Sequence, residues 1–361
     1  MQAVVLRGPE DLAVLDVPRQ TLAPGQCMIK VSHCGICGSD IRYYYGENPW
    51  AKQTLGIEVE NPPNIILGHE FVGEVVEVSD ESDNALLGQR VAVNTFITCG
   101  RCDFCRTDRE NLCPNTKHLG HGQGWGEMEY YPGGMAEFCI AFSNQVYPLP
   151  EHVSSEEATF LDPMIASLHA TDVGNPQMMD TIAILGAGPI GLLIAQFAQV
   201  YGVDKVFISD VAEENLQVAR ETGVAATFNA SNSNASYYDF IMDQTGGEGI
   251  DVVYNTVGSQ ESIEETLKML KPGGTLVLLA TKELEISFKA LQLSGERTIK
   301  TSSNAMYSDF PRALAMLASG KVNVKPLISH RFPVSKAVEA FDVACRKQET
   351  GAIKIVLDCQ S

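Results

Sequence analysis

The feature that most constrains this chain is the run TIAILGAGPIG, residues 181–191, where glycines follow a short apolar stretch. The glycine spacing is G-x-G-x-x-G, in which the first glycine allows a tight turn, the second admits a pyrophosphate and the third lets helix and strand pack closely. The following helix N-terminus offers free N–H groups to phosphates, and proline is tolerated in its first turn. The predicted cofactor-binding turn comprises Gly186, Gly188, Pro189, Ile190 and Gly191.

An acidic residue at the expected distance strengthens this prediction. The next apolar run, KVFISD, ends in Asp210, about where an acid binds the ribose hydroxyls of a dinucleotide. Glu213 and Glu214 follow, with no arginine or lysine close by to meet a 2′-phosphate. The sequence therefore favours NAD(H) over NADP(H).

The pattern around the turn predicts an α/β fold. Between residues 181 and 280, apolar runs alternate with amphipathic segments, which indicates a doubly wound parallel sheet with helices on both faces. Residues 1 to about 160 instead contain short runs such as FVGEVVEV and RVAVNTF, typical of a β-rich domain. Ser154 and Glu157 have the spacing of a helix capping box, and the polar run 229–236 is predicted to be a surface loop.

Charge and hydropathy exclude several function classes. The net charge of −19 repels nucleic acid and anionic lipid, so neither is an expected partner. No apolar run has the length of a membrane span, and the first residues lack a signal-peptide pattern. We therefore expect a cytoplasmic protein, in which the ten cysteines stay reduced.

A dense cysteine cluster predicts a metal site. The run CGRCDFCRTDRENLCP has the spacing C-x2-C-x2-C-x7-C, which can close a tetrahedral four-sulfur shell around a structural zinc. Two disulfides or an iron–sulfur cluster are the alternatives; the compartment disfavours the first, and zinc's preference for closed four-sulfur sites disfavours the second. The ligands are Cys99, Cys102, Cys105 and Cys113.

Several separate motifs together resemble one protein family. CGICGSD, LGHEFVGEVVEV, the cysteine cluster, GAGPIG, KPGGTLVL and VKPLISHRFPVSKAVEAF occur in the order found in zinc-containing medium-chain alcohol dehydrogenases. The chain is most similar to the sorbitol and threonine dehydrogenase branch. The resemblance implies a Rossmann domain, about residues 164–302, inserted in a GroES-like catalytic domain formed by residues 1–163, which carry the zinc lobe at about 95–115, and by the C-terminal return 303–361.

The resemblance also implies a catalytic zinc site. Cys37 and His69 match the first two ligands, Glu70 follows the histidine as in the polyol branch, and Asp162 stands where that branch has a later glutamate. Aspartate is one methylene shorter, so Asp162 would bind directly only after a backbone shift, or else through water. Cys34, which two residues separate from Cys37, would be a buried bystander. Two zinc ions per chain are expected.

The same resemblance assigns a proton relay. Ser39 matches the hydroxyl that takes the proton from the bound alcohol, while zinc acts as a Lewis acid and nicotinamide accepts the hydride. Many relatives have a histidine five residues after the first cysteine, where this chain has Arg42. Arginine does not titrate at working pH, so Arg42 cannot pass the proton on and water would carry it out. Arg42 itself either binds an anionic group, such as a cofactor phosphate or an anionic substrate, or is an ordinary surface residue.

The substrate is expected to be a secondary alcohol, polyol or sugar-like compound. Ala305 and Met306 replace the Arg-Tyr pair of the sorbitol branch, which argues against sorbitol itself. Threonine-type amino alcohols are the next candidate. Tyr43, Tyr44, Tyr45 and Trp50 either line a substrate cleft or pack within a loop. A non-catalytic nucleotide-binding protein and a zinc-free reductase are disfavoured by the retained ligands. The resemblance implies a homodimer or homotetramer.

Overall fold

The chain forms two compact units. The computed structural model describes residues 1–224, 226–231, 235–280 and 285–361, so part of the predicted loop, 232–234, lies outside the described residues. The first unit consists of Met1–Asp162, Met306–Ala318 and Ile328–Ser361, and the second of Pro163–Ala305 and Ser319–Leu327. Among the described residues, no helix combines the length and apolar character needed to cross a membrane.

Strands and helices are numbered in chain order. The strands are β1 Gln2–Gly8, β2 Asp11–Asp16, β3 Gln26–Ile36, β4 Ile65–Ile66, β5 Glu70–Val78, β6 Arg90–Val93, β7 Phe96–Ile97, β8 Lys117–His118, β9 Phe138–Phe142, β10 Val146–Pro148, β11 Thr181–Leu185, β12 Lys205–Asp210, β13 Ala226–Asn229, β14 Ile250–Asn255, β15 Leu270–Leu278, β16 Thr298–Thr301, β17 Ile328–Pro333 and β18 Lys354–Asp358. The helices are α1 Gly38–Tyr44, α2 Asp103–Arg106, α3 Ser155–Ala158, α4 Leu161–Gly174, α5 Pro189–Val200, α6 Glu213–Glu221, α7 Tyr237–Gln244, α8 Gln260–Met269, α9 Asp309–Ala318, α10 Ala337–Cys345 and α11 Lys347–Thr350.

The second unit contains the predicted doubly wound sheet. Its strands lie in the order β13-β12-β11-β14-β15-β16, and all the pairs are parallel. The order reverses beside β11, where dinucleotides bind in such sheets. Ile182, Ala183 and Ile184 of β11 are fully buried, because a central parallel strand is covered on both faces. The predicted α/β class is confirmed, although β13 and α7 were not anticipated individually.

The first unit is rich in β-structure, as expected. Its main sheet has the order β10-β6-β5-β3-β18-β17, with β9 also paired to β3. In the central ladders Gly35 of β3 lies opposite Glu70 of β5, and Ile36 lies opposite Ile355 of β18. The end of β3 therefore meets the beginnings of β5 and β18. The predicted capping box is present, since Ser154 Oγ accepts the Glu157 N–H at the start of α3.

Candidate functional site

Three predicted zinc ligands lie together where these strands meet. Cys37 directly follows β3, His69 precedes β5 and Glu70 begins it. One ligand atom from each lies within 4.8 Å of the other two. A thiolate, an imidazole and a carboxylate are donors that zinc accepts, and three protein ligands leave a fourth position for substrate. The residues therefore fit a catalytic zinc.

The two ring nitrogens of His69 face different groups. Nε2 lies 3.3 Å from Ser39 Oγ and 4.0 Å from Asp162 Oδ2, both predicted catalytic residues. Nδ1 lies 3.0 Å from His121 Nε2 and 3.5 Å from Asp40 Oδ1. The Nε2 side thus gathers the groups predicted for catalysis. On the Nδ1 side, Asp40, His69 and His121 also offer ligand atoms within 4.8 Å of one another.

Asp162, the second residue of α4, lies beside the three-residue cluster. Burial raises the pKa of its carboxyl to about 6, and the Glu70 carboxylate adds to the increase while His69 opposes it. A nearby cation favours the ionised form of such a group. The position thus suits a carboxylate that faces a metal at short range or through water.

Glu70 has a partner that the sequence analysis missed. Lys354 Nζ, at the start of β18, lies 2.7 Å from Glu70 Oε1 and 2.5 Å from Oε2, and both side chains are almost fully buried. A Cβ on Gly35 would lie 2.2 Å from Glu70 Oε2, so the glycine leaves room for this carboxylate. Glu70 therefore has its charge balanced within the protein. A lysine inside the apolar run AIKIVLD was the available sequence signal.

Asp40 and two histidines were also missed. Asp40 is fully buried, and its Oδ2 accepts the Cys37 N–H at 2.8 Å. His118 and His121 are buried and stacked, with ring centroids 4.1 Å apart. Burial lowers the pKa of His118 to about 3 and that of His121 well below its usual value, so both rings are neutral. Two histidines three residues apart in a glycine-rich run were the only sequence signal.

The loop after Cys37 is mainly a packed structure. Tyr43 and Trp50 are buried, and the Tyr43 hydroxyl donates to Asn48 Oδ1 at 3.2 Å. Arg42 Nε donates to Glu47 Oε2 at 2.8 Å, so its charge is balanced by a neighbour. For Tyr43 and Trp50 the structure favours packing over a substrate-lining role, whereas Tyr45 is 52% exposed.

The sulfur atoms of the four lobe cysteines are spaced like the ligands of a single tetrahedral ion. Tetrahedral zinc with bonds near 2.3 Å places its sulfur ligands about 3.8 Å apart. The observed Sγ–Sγ separations are 3.4 Å for Cys102–Cys105, 3.6 Å for Cys99–Cys113, 3.8 Å for Cys102–Cys113 and 3.9 Å for Cys99–Cys105. These lengths far exceed a disulfide bond. Backbone N–H groups of Arg101 and Cys102 lower the pKa of Cys99 to about 6, whereas burial raises the pKa of Cys113 to about 12.

A tyrosine far along the chain holds this lobe. The Tyr307 hydroxyl accepts the Thr98 N–H at 2.7 Å and donates to Thr98 Oγ1 at 3.0 Å. The Tyr307 N–H donates to Glu110 Oε1 at 3.0 Å. Both ends of the cysteine run are thereby tied to the segment before α9.

The predicted dinucleotide turn joins β11 to α5. Gly186 has φ +100°, and a Cβ there would lie 2.1 Å from Thr256 Oγ1. A Cβ on Gly191 would lie 2.0 Å from Gly186 O, whereas a Cβ on Gly188 would meet nothing within 4 Å. Gly188 is the N-cap of α5, Pro189 and Ile190 begin the helix, and the Ile190 carbonyl accepts from Ser167 Oγ at 3.5 Å. Two glycines thus permit close packing, and the third leaves open space beside the backbone.

Asp210 ends β12 next to this turn. Its Oδ2 accepts the Ala187 N–H at 2.6 Å, and its Oδ1 accepts the Ala212 N–H at 2.9 Å. Glu213 is bound by Arg220 Nη2 at 2.5 Å and Asn229 Nδ2 at 2.7 Å. Arg220 is thus engaged by an acid.

Comparisons with known proteins agree with this architecture. The family model for the alcohol dehydrogenase GroES-like domain matches residues 23–151, and that for zinc-binding dehydrogenases matches 189–319. The alcohol dehydrogenase TADH from Thermus sp. ATN1 is 30% identical, with 99% of each chain covered and a TM-score of 0.85.

Two further relatives extend the comparison. An L-threonine 3-dehydrogenase from Yersinia pestis (strain Pestoides F) is 29% identical over 98% of both chains. A short chain alcohol dehydrogenase from Escherichia coli CFT073, complexed with NADH, is 26% identical over 99% of both chains, with a TM-score of 0.87. The chain belongs to the zinc-containing medium-chain alcohol dehydrogenase family and is a nicotinamide-linked oxidoreductase acting on CH–OH donors.

Proposed function

We propose that this protein is a zinc-dependent dehydrogenase that uses NAD(H) to oxidise a secondary alcohol, polyol or sugar-like substrate to the carbonyl compound. The observation that carries the proposal is the cluster of Cys37, His69 and Glu70, whose ligand atoms lie within 4.8 Å of one another. A non-catalytic nucleotide-binding protein would have no need to keep this set together.

The residues have distinct roles in this proposal. Cys37, His69, Glu70 and Asp162 hold or face the catalytic zinc, and the four lobe cysteines hold a second, structural zinc. When bound, zinc polarises the substrate oxygen as a Lewis acid and NAD+ accepts the hydride. The Ser39 hydroxyl, 3.3 Å from His69 Nε2, takes the proton from the substrate hydroxyl. Since Arg42 keeps its own proton and is paired with Glu47, water carries the proton onward.

Cofactor preference follows from charge. Gly186, Gly188 and Gly191 give the pyrophosphate access to the backbone, and Asp210 accepts hydrogen bonds from the ribose hydroxyls. An unmodified ribose suits this acidic corner, whereas a 2′-phosphate would meet Asp210 and Glu213. A lower KM for NADPH than for NADH would contradict this preference.

Assembly, location and domain limits are part of the same proposal. By analogy with the family, the chain forms a homodimer or homotetramer. We place it in the cytoplasm, because its first residues lack a signal-peptide pattern. The proposed catalytic domain comprises 1–163 and 303–361, and the proposed cofactor domain comprises 164–302. These limits differ from the compact units at Pro163, 303–305 and 319–327, which group with the second unit.

A threonine-type amino alcohol is the second candidate substrate. The similarity to an L-threonine 3-dehydrogenase over 98% of both chains favours it. The pairing of Arg42 with Glu47 weakens one argument for it, since Arg42 was the sequence's candidate for meeting a carboxylate.

The decisive experiment is a substrate screen on metal-analysed protein. The parent chain is expected to contain two zinc ions and to form NADH with at least one of polyols, diols, aldoses or threonine. Cys37→Ser should lose most of this rate because a hydroxyl is a far weaker zinc ligand than a thiolate. Cys345→Ser is the matched control, since Cys345 lies in α10 outside all three groups of possible metal ligands found among the described residues. Absence of zinc, absence of NADH with every class, or full activity in Cys37→Ser would each refute the proposal.

A further inference from the structure

The metal ligand His69 has a buried histidine against its second nitrogen. His121 Nε2 lies 3.0 Å from His69 Nδ1, a normal hydrogen-bond length. Asp40 Oδ1, a buried oxygen with no hydrogen-bond partner among the described residues, lies farther from the same nitrogen, at 3.5 Å, while Asp40 Oδ2 accepts the Cys37 N–H. His121 is therefore the nearer acceptor for a proton on His69 Nδ1.

The orientation of the His69 ring determines which nitrogen of each histidine carries a proton. A histidine that gives Nε2 to a metal must carry its proton on Nδ1 and donate it to a neighbour. Between His69 and His121 only one of the two facing nitrogens can hold that proton. If His69 Nε2 serves the metal, His121 Nε2 is the acceptor, and His121 carries its own proton on Nδ1, a buried nitrogen with no hydrogen-bond partner among the described residues.

The ring of His121 is fixed on both faces. It stacks on Tyr43 with centroids 4.5 Å apart and on His118 with centroids 4.1 Å apart. His118 is in turn held by a hydrogen bond from its Nδ1 to the Leu119 carbonyl at 2.8 Å. An imidazole clamped in this way has little freedom to turn away from His69.

The backbone around His121 is also shaped for close contact with the turn that carries His69. Gly120 has φ +83°, and a Cβ there would lie 2.5 Å from the Gly68 carbonyl. Gly122 has φ +66°, and a Cβ there would lie 2.9 Å from Pro62 Cγ. Glycines on both sides of His121 thus let its loop pack directly against the turn that carries His69.

We propose that His121 is a positioning residue for the catalytic zinc: it accepts the Nδ1 proton of His69 and so presents His69 Nε2 to the metal. The inference rests on the proposed function, because it assigns His69 as a zinc ligand. Hydrogen-bond partners of metal-binding histidines fix ring orientation and raise ligand basicity, and their loss typically lowers metal affinity about 10–100-fold.

The test compares three substitutions by zinc affinity. His121→Phe keeps a ring between its neighbours but removes the acceptor, and should weaken the catalytic zinc about 10–100-fold in competition with a chelator. His121→Gln restores an acceptor near the position of Nε2 and should recover most of the affinity. His118→Phe is the matched control, since it alters the same stack without touching a nitrogen of His69, and should bind zinc like the parent.

A spectroscopic measurement separates positioning from general packing. With cobalt(II) in place of zinc, the visible absorption bands report the ligand arrangement, so His121→Phe should shift them while His118→Phe should not. If His121→Phe does not fold, His121→Leu, which is smaller, is measured in its place. Parent-like zinc affinity without an acceptor, failure of His121→Gln to recover, or an equal loss in His118→Phe would each overturn the inference.

The same measurements distinguish failure of the proposed function from failure of the inference about His121. A parent chain that binds only the lobe zinc, or that oxidises no alcohol, would refute the function and the inference together. A parent chain with two zinc ions and activity, alongside a His121→Phe variant with undiminished zinc affinity, would refute the inference alone.

Discussion

Replacing Lys354 with methionine should destabilise the first unit strongly. Lys354 Nζ contacts both oxygens of Glu70, at 2.5 and 2.7 Å, and the side chains are 4% and 0% exposed. Methionine keeps a similar stem but leaves the Glu70 carboxylate buried without its cation.

The magnitude follows from that uncompensated charge. Removing one partner of a buried ion pair costs about 3–5 kcal/mol, far more than loss of an exposed pair. Bound zinc would offset part of the Glu70 charge, so with equal zinc content the loss is expected near 3 kcal/mol. The matched control is Lys336→Met, because Lys336 forms an exposed pair with Glu339 at 3.6 Å. Its free energy of unfolding should change by less than about 1 kcal/mol.

Tryptophan fluorescence makes the assay selective. Both tryptophans of the chain, Trp50 and Trp125, belong to the first unit, so a urea titration followed by their emission reports unfolding of that unit. The difference in the free energy of unfolding is taken from the midpoint and the slope.

A double variant provides the refuting result. Glu70→Gln combined with Lys354→Met removes both charges and should lose less stability than Lys354→Met alone, since no uncompensated ion remains. A single variant within about 1 kcal/mol of the parent, or a double variant that is less stable than the single, would show that the pair does not balance this site.

Three further changes test other parts of the molecule. Cys102→Ser should lower the zinc content from two ions per chain to one by elemental analysis, whereas Cys345→Ser should retain both; equal content in the two variants would contradict the assigned lobe. Asp210→Ala should raise the Kd for NADH roughly 10-fold or more in a fluorescence titration, because hydrogen bonds to a charged group are lost; an unchanged Kd would remove Asp210 from the cofactor site. Tyr307→Phe should lower the free energy of unfolding of the first unit by about 1 kcal/mol in a urea titration, because the partly buried hydrogen bonds to Thr98 disappear; parent-like stability would mean that they contribute little.

The sequence predicted those features that depend on local pattern. The glycine turn, the alternating strands and helices around it and the capping box of Ser154 and Glu157 each follow from spacing within a few residues. The four cysteines of the lobe are also local, since they lie within one loop. Such features need no knowledge of distant contacts.

The missed residues act across long separations. Lys354 lies 284 positions from Glu70, and Tyr307 lies 209 positions from Thr98. No local sequence pattern predicts such pairs, because their residues come together only in the folded chain. His121 is 52 positions from His69 and looks, in sequence, like any histidine in a glycine-rich loop. The strand β13 was missed because four residues carry too little pattern.

The first unit is built from separate chain segments, so it can complete its fold only late in synthesis. Its main sheet takes β18, beginning at Lys354, as the neighbour of β3, so the ribosome must make nearly the whole chain before that sheet closes. The hydrogen bonds between the cysteine lobe and Tyr307 likewise form only after Tyr307 has been synthesised. By contrast, the strands of the parallel sheet are all translated by residue 301. Domains generally fold as units while the chain emerges from the ribosome. All strands of the parallel sheet are therefore available for pairing before the main sheet of the first unit is complete.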